Sequence, residues 1–212
     1  MSGALQAVFQ NQRSFVPPLA VGDAYEGGFF AGQISTAGNG VADYNLVIGP
    51  VASAQSTLLK WKTSNTSTTG TLSDIDGPAN SSAMNDVNHP AAQFCEGLTI
   101  GGFSDWYMPA KNELEVCFYN LKPDTNPNDT VSGINPNAVP ARASNYTSGI
   151  PTQTSATNFK DTGAESFAIA YYWCSTEATA SRGRMQTFSN GAQYTYPKNT
   201  NYRTRAVRRV AV

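Results

Sequence analysis

The sequence predicts an α+β domain with long connecting loops. Two segments rich in aromatic and β-branched residues come first, two helical signals follow, and several short strand signals end the chain. Charged residues make up 14% of the chain, against about 25% in an average soluble domain. Ser, Thr, Asn and Gly take their place, which indicates a loop-rich protein with a polar but weakly charged surface.

The first strands form a predicted hairpin. Residues 24–35 and 42–52 carry the strand signals, and "TAGNG" (36–40) lies between them as the turn. Residues 53–88 are mostly Ser, Thr, Asn and Gly, with Trp61 as one large anchor. That composition predicts a long ordered loop.

Two helices follow the loop. The first is predicted over "NHPAAQFCEGL" (88–98), where Pro90 suits the first helical position. The second begins at residue 110 and stops before Pro123. Its apolar side chains follow the spacing i, i+3, i+4, i+7 and therefore share one face: Leu114, Cys117, Phe118 and Leu121.

The remaining chain is predicted as a loop over 123–160 and then short strands. The strand signals lie at 166–176, 184–189, 192–198 and 203–212. "SNG" (189–191) is a hairpin turn signal. The order of hairpin, helices and strands is that of an α+β fold.

Residues 1–20 are predicted to be an attachment arm, separate from a domain over 21–212. The arm is apolar, too short for a core of its own, and interrupted by Pro17 and Pro18. It lacks the pattern of a signal peptide, so we expect synthesis in the cytoplasm without a leader. No apolar run approaches the roughly 20 residues of a membrane helix. The net charge of −1 gives no general attraction to nucleic acid.

Few residues suggest chemistry. His89 is the only histidine, and no Cys or His pair has zinc spacing. Asp74 and Asp76 in "SDIDG" lack the distal Glu of an EF-hand loop. The three cysteines are predicted to be free thiols that act as small core residues. We therefore expect no enzyme, no metal site and no cofactor.

Four motifs together resemble one family. They are "GGFSDWYMPAKNEL" (101–114), "YYWCSTE" (171–177), "FSNG" (188–191) and "RTRAVRR" (203–209). In this order they are similar to the C-terminal domain family of the Legionella collagen-like adhesin, which bacteriophage and bacterial surface proteins also carry. The resemblance covers roughly residues 20–212.

The resemblance implies a C-type-lectin-like fold, in which the terminal strand returns to pair with the first hairpin. It also implies likeness to the receptor-binding variable proteins of phages with diversity-generating retroelements. The lectin-type calcium triplets are absent, which argues against calcium-dependent sugar binding. Residues 101–114, named here the aromatic corner, are expected to lock the second helix onto the core. The residues with an expected structural role are Trp106, Pro109, Trp173, Glu177 and Arg208.

The stretch "NGAQYTYPKNTNYR" (190–203) has the composition of a recognition surface, because Tyr offers contact area at low entropy cost and Asn offers adaptable hydrogen bonds. The alternative is that its tyrosines simply pack the sheet. "SRGRMQ" replaces a Trp that the family often has, which adds two arginines. The predicted ligand-binding residues are Arg182, Arg184, Gln193, Tyr194, Tyr196, Asn199, Asn201 and Tyr202.

The leading hypothesis is a bacteriophage virion protein, in a tail or fibre, that binds a host-surface glycan or protein. The arm would bind other virion proteins on the particle exterior or sister subunits, with a homotrimer favoured. A second hypothesis is a capsid or tail decoration protein with no ligand. A third is an enzyme like the formylglycine-generating enzymes, which have a related fold and a pair of active cysteines.

The terminal strand allows one sharper prediction. Side chains alternate along a strand, so Arg208 shares a mostly apolar face with Ala206 and Val210. An arginine there needs a partner, and we expect Arg208 to be buried against Glu177 or, as second choice, Asp105. Three further arginines fall on the other face and are expected to be solvated: Arg203, Arg205 and Arg209.

Overall fold

The computed structural model describes residues 18–212, which form four α-helices and ten β-strands. The helices are α1 (Val51–Ala54), α2 (Gly77–Ser82), α3 (Pro90–Glu96) and α4 (Lys111–Leu121). The strands are β1 (Ala24–Tyr25), β2 (Gly28–Ile34), β3 (Tyr44–Ile48), β4 (Gln55–Lys60), β5 (Ala138–Val139), β6 (Tyr171–Thr179), β7 (Arg182–Thr187), β8 (Gln193–Pro197), β9 (Asn201–Arg205) and β10 (Val207–Ala211). The α+β class is confirmed. The predicted arm falls almost wholly on residues 1–17, outside the described part of the chain.

The strands form two sheets of five strands each. The first has the order β1-β2-β3-β10, with β5 paired to β2, and the second has the order β4-β9-β6-β7-β8. Pairing is antiparallel except between β6 and β9, which run parallel at Tyr172 and Arg203. The second sheet packs the face that carries Tyr172 and Phe188 against Phe118 of α4.

The predicted hairpin and both predicted helices are present. The hairpin is β2 and β3, and β10 returns to pair with β3, from Val207 opposite Ile48 to Ala211 opposite Tyr44. The predicted apolar face of α4 is buried. The predicted loop at 53–88 was too simple, because it contains β4 and α2. Helix α2 is short and polar, and Asp76 and Asn80 hold it through hydrogen bonds to neighbouring backbone groups.

The aromatic corner connects α4 to the first sheet. Gly101 and Gly102 have positive φ angles of 62° and 84°, and the buried Trp106 donates its indole N–H to the carbonyl of Phe103. Tyr107 pairs with Val207 of β10, and its hydroxyl donates to Glu113 of α4. Burial and the neighbouring carboxylate raise the pKa of Tyr107 well above its usual value, so the phenol stays a donor.

Pro109 and Trp173, two of the residues with an expected structural role, make contacts between elements. Pro109 precedes α4 and accepts a 2.7 Å hydrogen bond from the Ser175 N–H of β6. Trp173 is fully buried and donates its indole N–H to the carbonyl of Leu59, 3.1 Å away. These contacts join α4, β6 and β4.

Arg208 is buried as predicted, but its partner is the second choice. Its guanidinium makes two hydrogen bonds to the Asp105 carboxylate, at 2.7 Å and 3.0 Å, and lies 3.8 Å from the centre of the Phe103 ring. Glu177 as first choice was wrong. Glu177 belongs to the second sheet, where it bonds the Lys198 ammonium and the Thr68 backbone N–H.

Two of the three arginines expected to be solvated are buried or nearly so. The predicted strand 203–212 is divided at Ala206, whose backbone bonds Ala54 and Gly49, so β9 and β10 enter different sheets. The break resets the alternation of side chains. Arg205 is fully buried, and the Arg209 side chain is 11% exposed and bonds Glu113.

Arg205 is held by one acidic residue and by backbone carbonyls. Its guanidinium donates to the Glu165 carboxylate at 2.8 Å, to the Glu165 carbonyl at 2.9 Å and to the Gly49 carbonyl at 2.8 Å. Burial lowers the pKa of Arg205 to about 10, and the negative charge of Glu165 opposes that shift. The pair therefore fixes the end of β9 against the segment before β6.

We predict that Glu165→Ala lowers the free energy of unfolding by about 3–5 kcal/mol, because it leaves the buried Arg205 cation without a counter-charge. Urea unfolding at neutral pH measures the change. The matched control is Asp74→Asn, which removes a half-exposed partner of Lys111 and is expected to cost about 1 kcal/mol or less. Equal losses in the two variants would contradict the prediction.

Candidate functional site

Four tyrosines form an exposed aromatic surface at one end of the second sheet. We name Tyr171, Tyr194, Tyr196 and Tyr202 the tyrosine surface. Three of them are 42%, 50% and 43% exposed, in that order, and Tyr202 lies half-buried between its neighbours. The Tyr202 ring centre is 5.2 Å from that of Tyr171 and 5.5 Å from that of Tyr196. The Tyr202 ring therefore contacts two of the exposed rings and lies at the centre of the surface.

Strand register places the tyrosines on one face. Tyr194 lies opposite Met185 of β7, and Tyr196 lies opposite Gly183. Met185 in turn lies opposite Trp173 of β6, two residues from Tyr171. Side chains two apart on a strand share a face, and opposite residues in an antiparallel pair share it too. The spacing Tyr-Thr-Tyr in β8 thus places the Tyr194 and Tyr196 rings on the same face of the sheet, above Met185 and Gly183.

The floor beneath the rings is tightly packed. Trp173 lies with its ring centre 5.0 Å from that of Tyr202. A Cβ atom at Gly183 would come within 2.8 Å of Trp61 Cδ1, so glycine lets that indole lie directly against β7. Trp61 donates its N–H to the carbonyl of Cys174. The tyrosines stand on large side chains with few alternative positions.

Lys198 and Glu177 hold the turn that follows β8. The Lys198 ammonium lies 4.4 Å from the centre of the Trp61 ring, and it bonds the Glu177 carboxylate at 2.5 Å and the Thr66 carbonyl at 2.9 Å. The Thr68 N–H donates to the same carboxylate. Glu177 therefore has a structural contact, which fixes residues 66–68 beside the turn to β9.

Two adjacent clefts open on the tyrosine surface. The first, of about 270 Å³, is lined by its four rings together with Met185 and Thr195. The second, of about 310 Å³, shares Tyr171 and Tyr202 and adds Leu58, Asn201 and Arg203. Leu58 is 68% exposed at the bulge of β4. The two clefts form one mostly apolar depression across the sheet.

The Tyr202 side chain at the centre of the tyrosine surface is uncharged. Burial and the neighbouring Tyr196 raise the pKa of Tyr202 to about 12, so its phenol is neutral at physiological pH. Among the described residues that line the first cleft, none is charged. The cleft offers aromatic faces, a thioether and hydroxyl groups.

The outer edge of β8 is closed to strand addition. The Gln193 N–H donates to Ser132 Oγ at 3.0 Å, and the Thr195 carbonyl accepts from Arg182 Nη1 at 3.1 Å. Pro197 has no N–H to offer. An added strand would have to displace these contacts.

The structure brings together Tyr194, Tyr196, Asn201 and Tyr202 of the predicted set and places the others elsewhere. Arg184 and Gln193 alternate to the opposite face, where Arg184 Nε lies 3.7 Å from the Asp74 carboxylate. The Arg182 side chain lies at the outer edge of β8, where it donates to the Thr195 carbonyl. Asn199 is exposed in the turn and donates its backbone N–H to Asn65.

Four residues of the site were not predicted: Leu58, Tyr171, Met185 and Arg203. Tyr171 carried a usable signal, since it stands two residues before Trp173 in a predicted strand and must share its face. Leu58 and Met185 carried none, because their positions depend on pairings with β9 and β8 that are distant in sequence.

Groups that support chemistry are few in the described chain. Within residues 18–212, no three His, Cys, Asp or Glu side chains lie close enough together to hold a metal ion. In the same range no helix has the length and apolar character to cross a membrane. Cys95, Cys117 and Cys174 are buried and free, and burial raises the pKa of Cys95 and Cys174 to about 12.

A family model described as the Lcl C-terminal domain matches residues 51–208. No curated protein shows a significant match to the sequence. Among solved structures, a fimbrial protein from Bacteroides ovatus is similar at 16% sequence identity, with a TM-score of 0.42. That likeness covers 77% of this chain and 35% of the other chain, so this chain spans about a third of its length.

The matched residues include the aromatic corner, β6, the turn after β7 and nearly all of the terminal arginine motif, and these motifs carried the resemblance found in the sequence. The resemblance is confirmed at the level of the family. The chain therefore belongs to the family of the Lcl C-terminal domain, and residues 51–208 form an adhesin-like domain.

Proposed function

We propose that this domain binds a receptor on a host cell surface through the tyrosine surface. The observation that carries the proposal is the exposure of three tyrosine rings around one cleft, on a fully packed floor. Contiguous exposed apolar patches on proteins often mark interaction sites. The site has no nucleophile and base in contact, so it acts by surface complementarity.

The packing of the rings favours binding. Tyr202 contacts Trp173 below and Tyr171 and Tyr196 beside it, so much of the side-chain entropy is lost on folding and not on binding. Tyrosine is enriched among the interface residues that contribute most to affinity. A ligand that covers Tyr194 and Tyr196 removes apolar area from water with little reordering of the protein.

The biological setting is a further part of the proposal. We propose a bacteriophage virion protein, displayed on the particle exterior, that residues 1–20 attach to other virion proteins in a homotrimer. Support comes from the sequence resemblance, since phage proteins carry domains of this type. The domain acts without a cofactor and does not bind nucleic acid.

We predict that Tyr194→Ala/Tyr196→Ala weakens binding to host cells at least about tenfold, because it removes two exposed rings of the contact surface. Labelled protein is titrated onto intact bacterial cells and bound fluorescence is measured by flow cytometry. Both rings are half-exposed and the Tyr196 ring packs on Tyr202, so the free energy of unfolding is expected to fall by about 1–2 kcal/mol, and circular dichroism checks that the variant is folded.

The matched control is Arg182→Ala/Asn199→Ala, which changes two exposed residues of the predicted set that lie outside the tyrosine surface. We expect it to bind cells as the parent protein does. Saturable binding that both double variants retain would contradict the proposal. Absence of binding, on cells that the parent particle infects, would favour a capsid or tail decoration protein without a ligand.

We also propose that the domain is not an enzyme of the active-cysteine type. We predict that no thiol of the native protein reacts with a thiol reagent within minutes, and that all three react in denaturant. The reason is that each cysteine is buried and is a thiol, not a thiolate, at neutral pH. Rapid native reaction of two cysteines would contradict this and restore the enzyme hypothesis.

A further inference from the structure

The rings of the tyrosine surface enclose the first cleft from several directions. The Tyr171 and Tyr202 rings are inclined at 59°, and the Tyr196 and Tyr202 rings at 75°. Rings at such angles cannot all lie flat against one planar ligand. The four tyrosine rings and Met185 line the first cleft together. Aromatic side chains grouped around one cleft in this way can act as an aromatic cage.

No charged residue lines the first cleft, and Arg203 lines only the second, so the electrostatics of the ring faces indicate which group such a cage accepts. The face of an aromatic ring carries negative electrostatic potential, so several rings around one space attract a cation. A primary ammonium is strongly hydrated and needs acceptors for its three N–H groups. No acidic residue of the described chain lines this cleft. A quaternary ammonium has no N–H group and needs no such acceptor.

We infer that the tyrosine surface binds a quaternary ammonium group, of the trimethylammonium type found in choline, within the cage of Tyr171, Tyr194, Tyr196 and Tyr202. The inference rests on the proposed function and names the chemistry of its ligand. The methyl groups contact the rings and Met185, and the positive charge is stabilised by the ring faces. The group is part of the receptor, either as a lipid headgroup or as a substituent of a surface glycan.

The size of the cleft agrees with this ligand. Sites for small molecules usually measure about 300–1,000 Å³, and the first cleft, at about 270 Å³, is slightly smaller than that range. A compact headgroup fills such a space, whereas a long oligosaccharide extends beyond it. The second cleft, beyond Tyr171 and Tyr202, has room for the part of the receptor that carries the ammonium group.

Calorimetric titration of the full chain with choline, phosphocholine and ethanolamine tests the inference. We expect choline and phosphocholine to bind saturably, and ethanolamine to bind at least about tenfold more weakly because its primary ammonium keeps its water. Tyr194→Ala/Tyr196→Ala is expected to weaken choline binding about tenfold or more. Tyr194→Phe/Tyr196→Phe keeps the rings and is expected to bind within about threefold of the parent protein.

Three results would overturn the inference: no saturable binding of choline, equal affinity for ethanolamine, or choline binding that the alanine variant retains. A neutral methyl glycoside that binds at the same tyrosines, when choline does not, would show a sugar site instead. Phosphatidylcholine vesicles and a phosphocholine-bearing glycan conjugate then distinguish the two sources of the group.

Competition on cells separates this inference from the proposed function. Free phosphocholine is expected to displace the labelled protein from cells to which it binds through its tyrosines. Tyrosine-dependent cell binding without displacement would overturn the ligand assignment and leave receptor binding intact. Tyrosine-dependent binding of choline, with no binding to cells, would overturn receptor binding and leave the cage in place.

Discussion

The fold depends on the pairing of buried arginines at the end of the chain with acidic residues from elsewhere in the sequence. Arg205 bonds Glu165, Arg208 bonds Asp105, and Arg209 bonds Glu113. Each pair joins the terminal strands to a segment distant in sequence. A buried guanidinium is costly without its counter-charge. An arrangement of the chain that separated one of these pairs would therefore be strongly disfavoured. The three pairs lie on both sides of Ala206, where the terminal segment leaves one sheet and enters the other.

The division at Ala206 has consequences for the functional surface. Strand β9, before Ala206, lies between β4 and β6 in the second sheet. Strand β10, after Ala206, pairs with β3 at the edge of the first sheet. Tyr202 of β9 is thereby placed beside Tyr171 of β6. Tyr194 and Tyr196 of β8 lie on the same face because β7 pairs with both β6 and β8. The tyrosine surface is thus assembled from three strands, and the Arg205–Glu165 pair holds the end of β9, which carries its central ring.

Local signals predicted much of this fold, and the failures have a physical cause. The hairpin, α3, α4 and the last strands follow from side-chain spacing and turn residues, which act over a few positions. Helix α2 and β4 were missed because contacts with distant residues stabilise them: the Met108 N–H donates to Ser81 of α2, and β4 pairs with β9. Alternation along 203–212 correctly placed Arg208 in the core. It failed for Arg205 because the predicted strand is divided at Ala206, so Arg205 and Arg208 lie in strands of different sheets and do not follow one alternation.

The sequence by itself determined the α+β class, the family motifs, the burial of Arg208 and the tyrosine-rich composition of β8 and β9. These depend on residue type and on period along the chain. Only the tertiary structure decided which polar and aromatic residues form one surface, since strand pairing turned Arg184 and Gln193 to the opposite face and added Tyr171, Met185 and Leu58. Register between strands distant in sequence is set by packing and by buried ion pairs, and no local pattern encodes it.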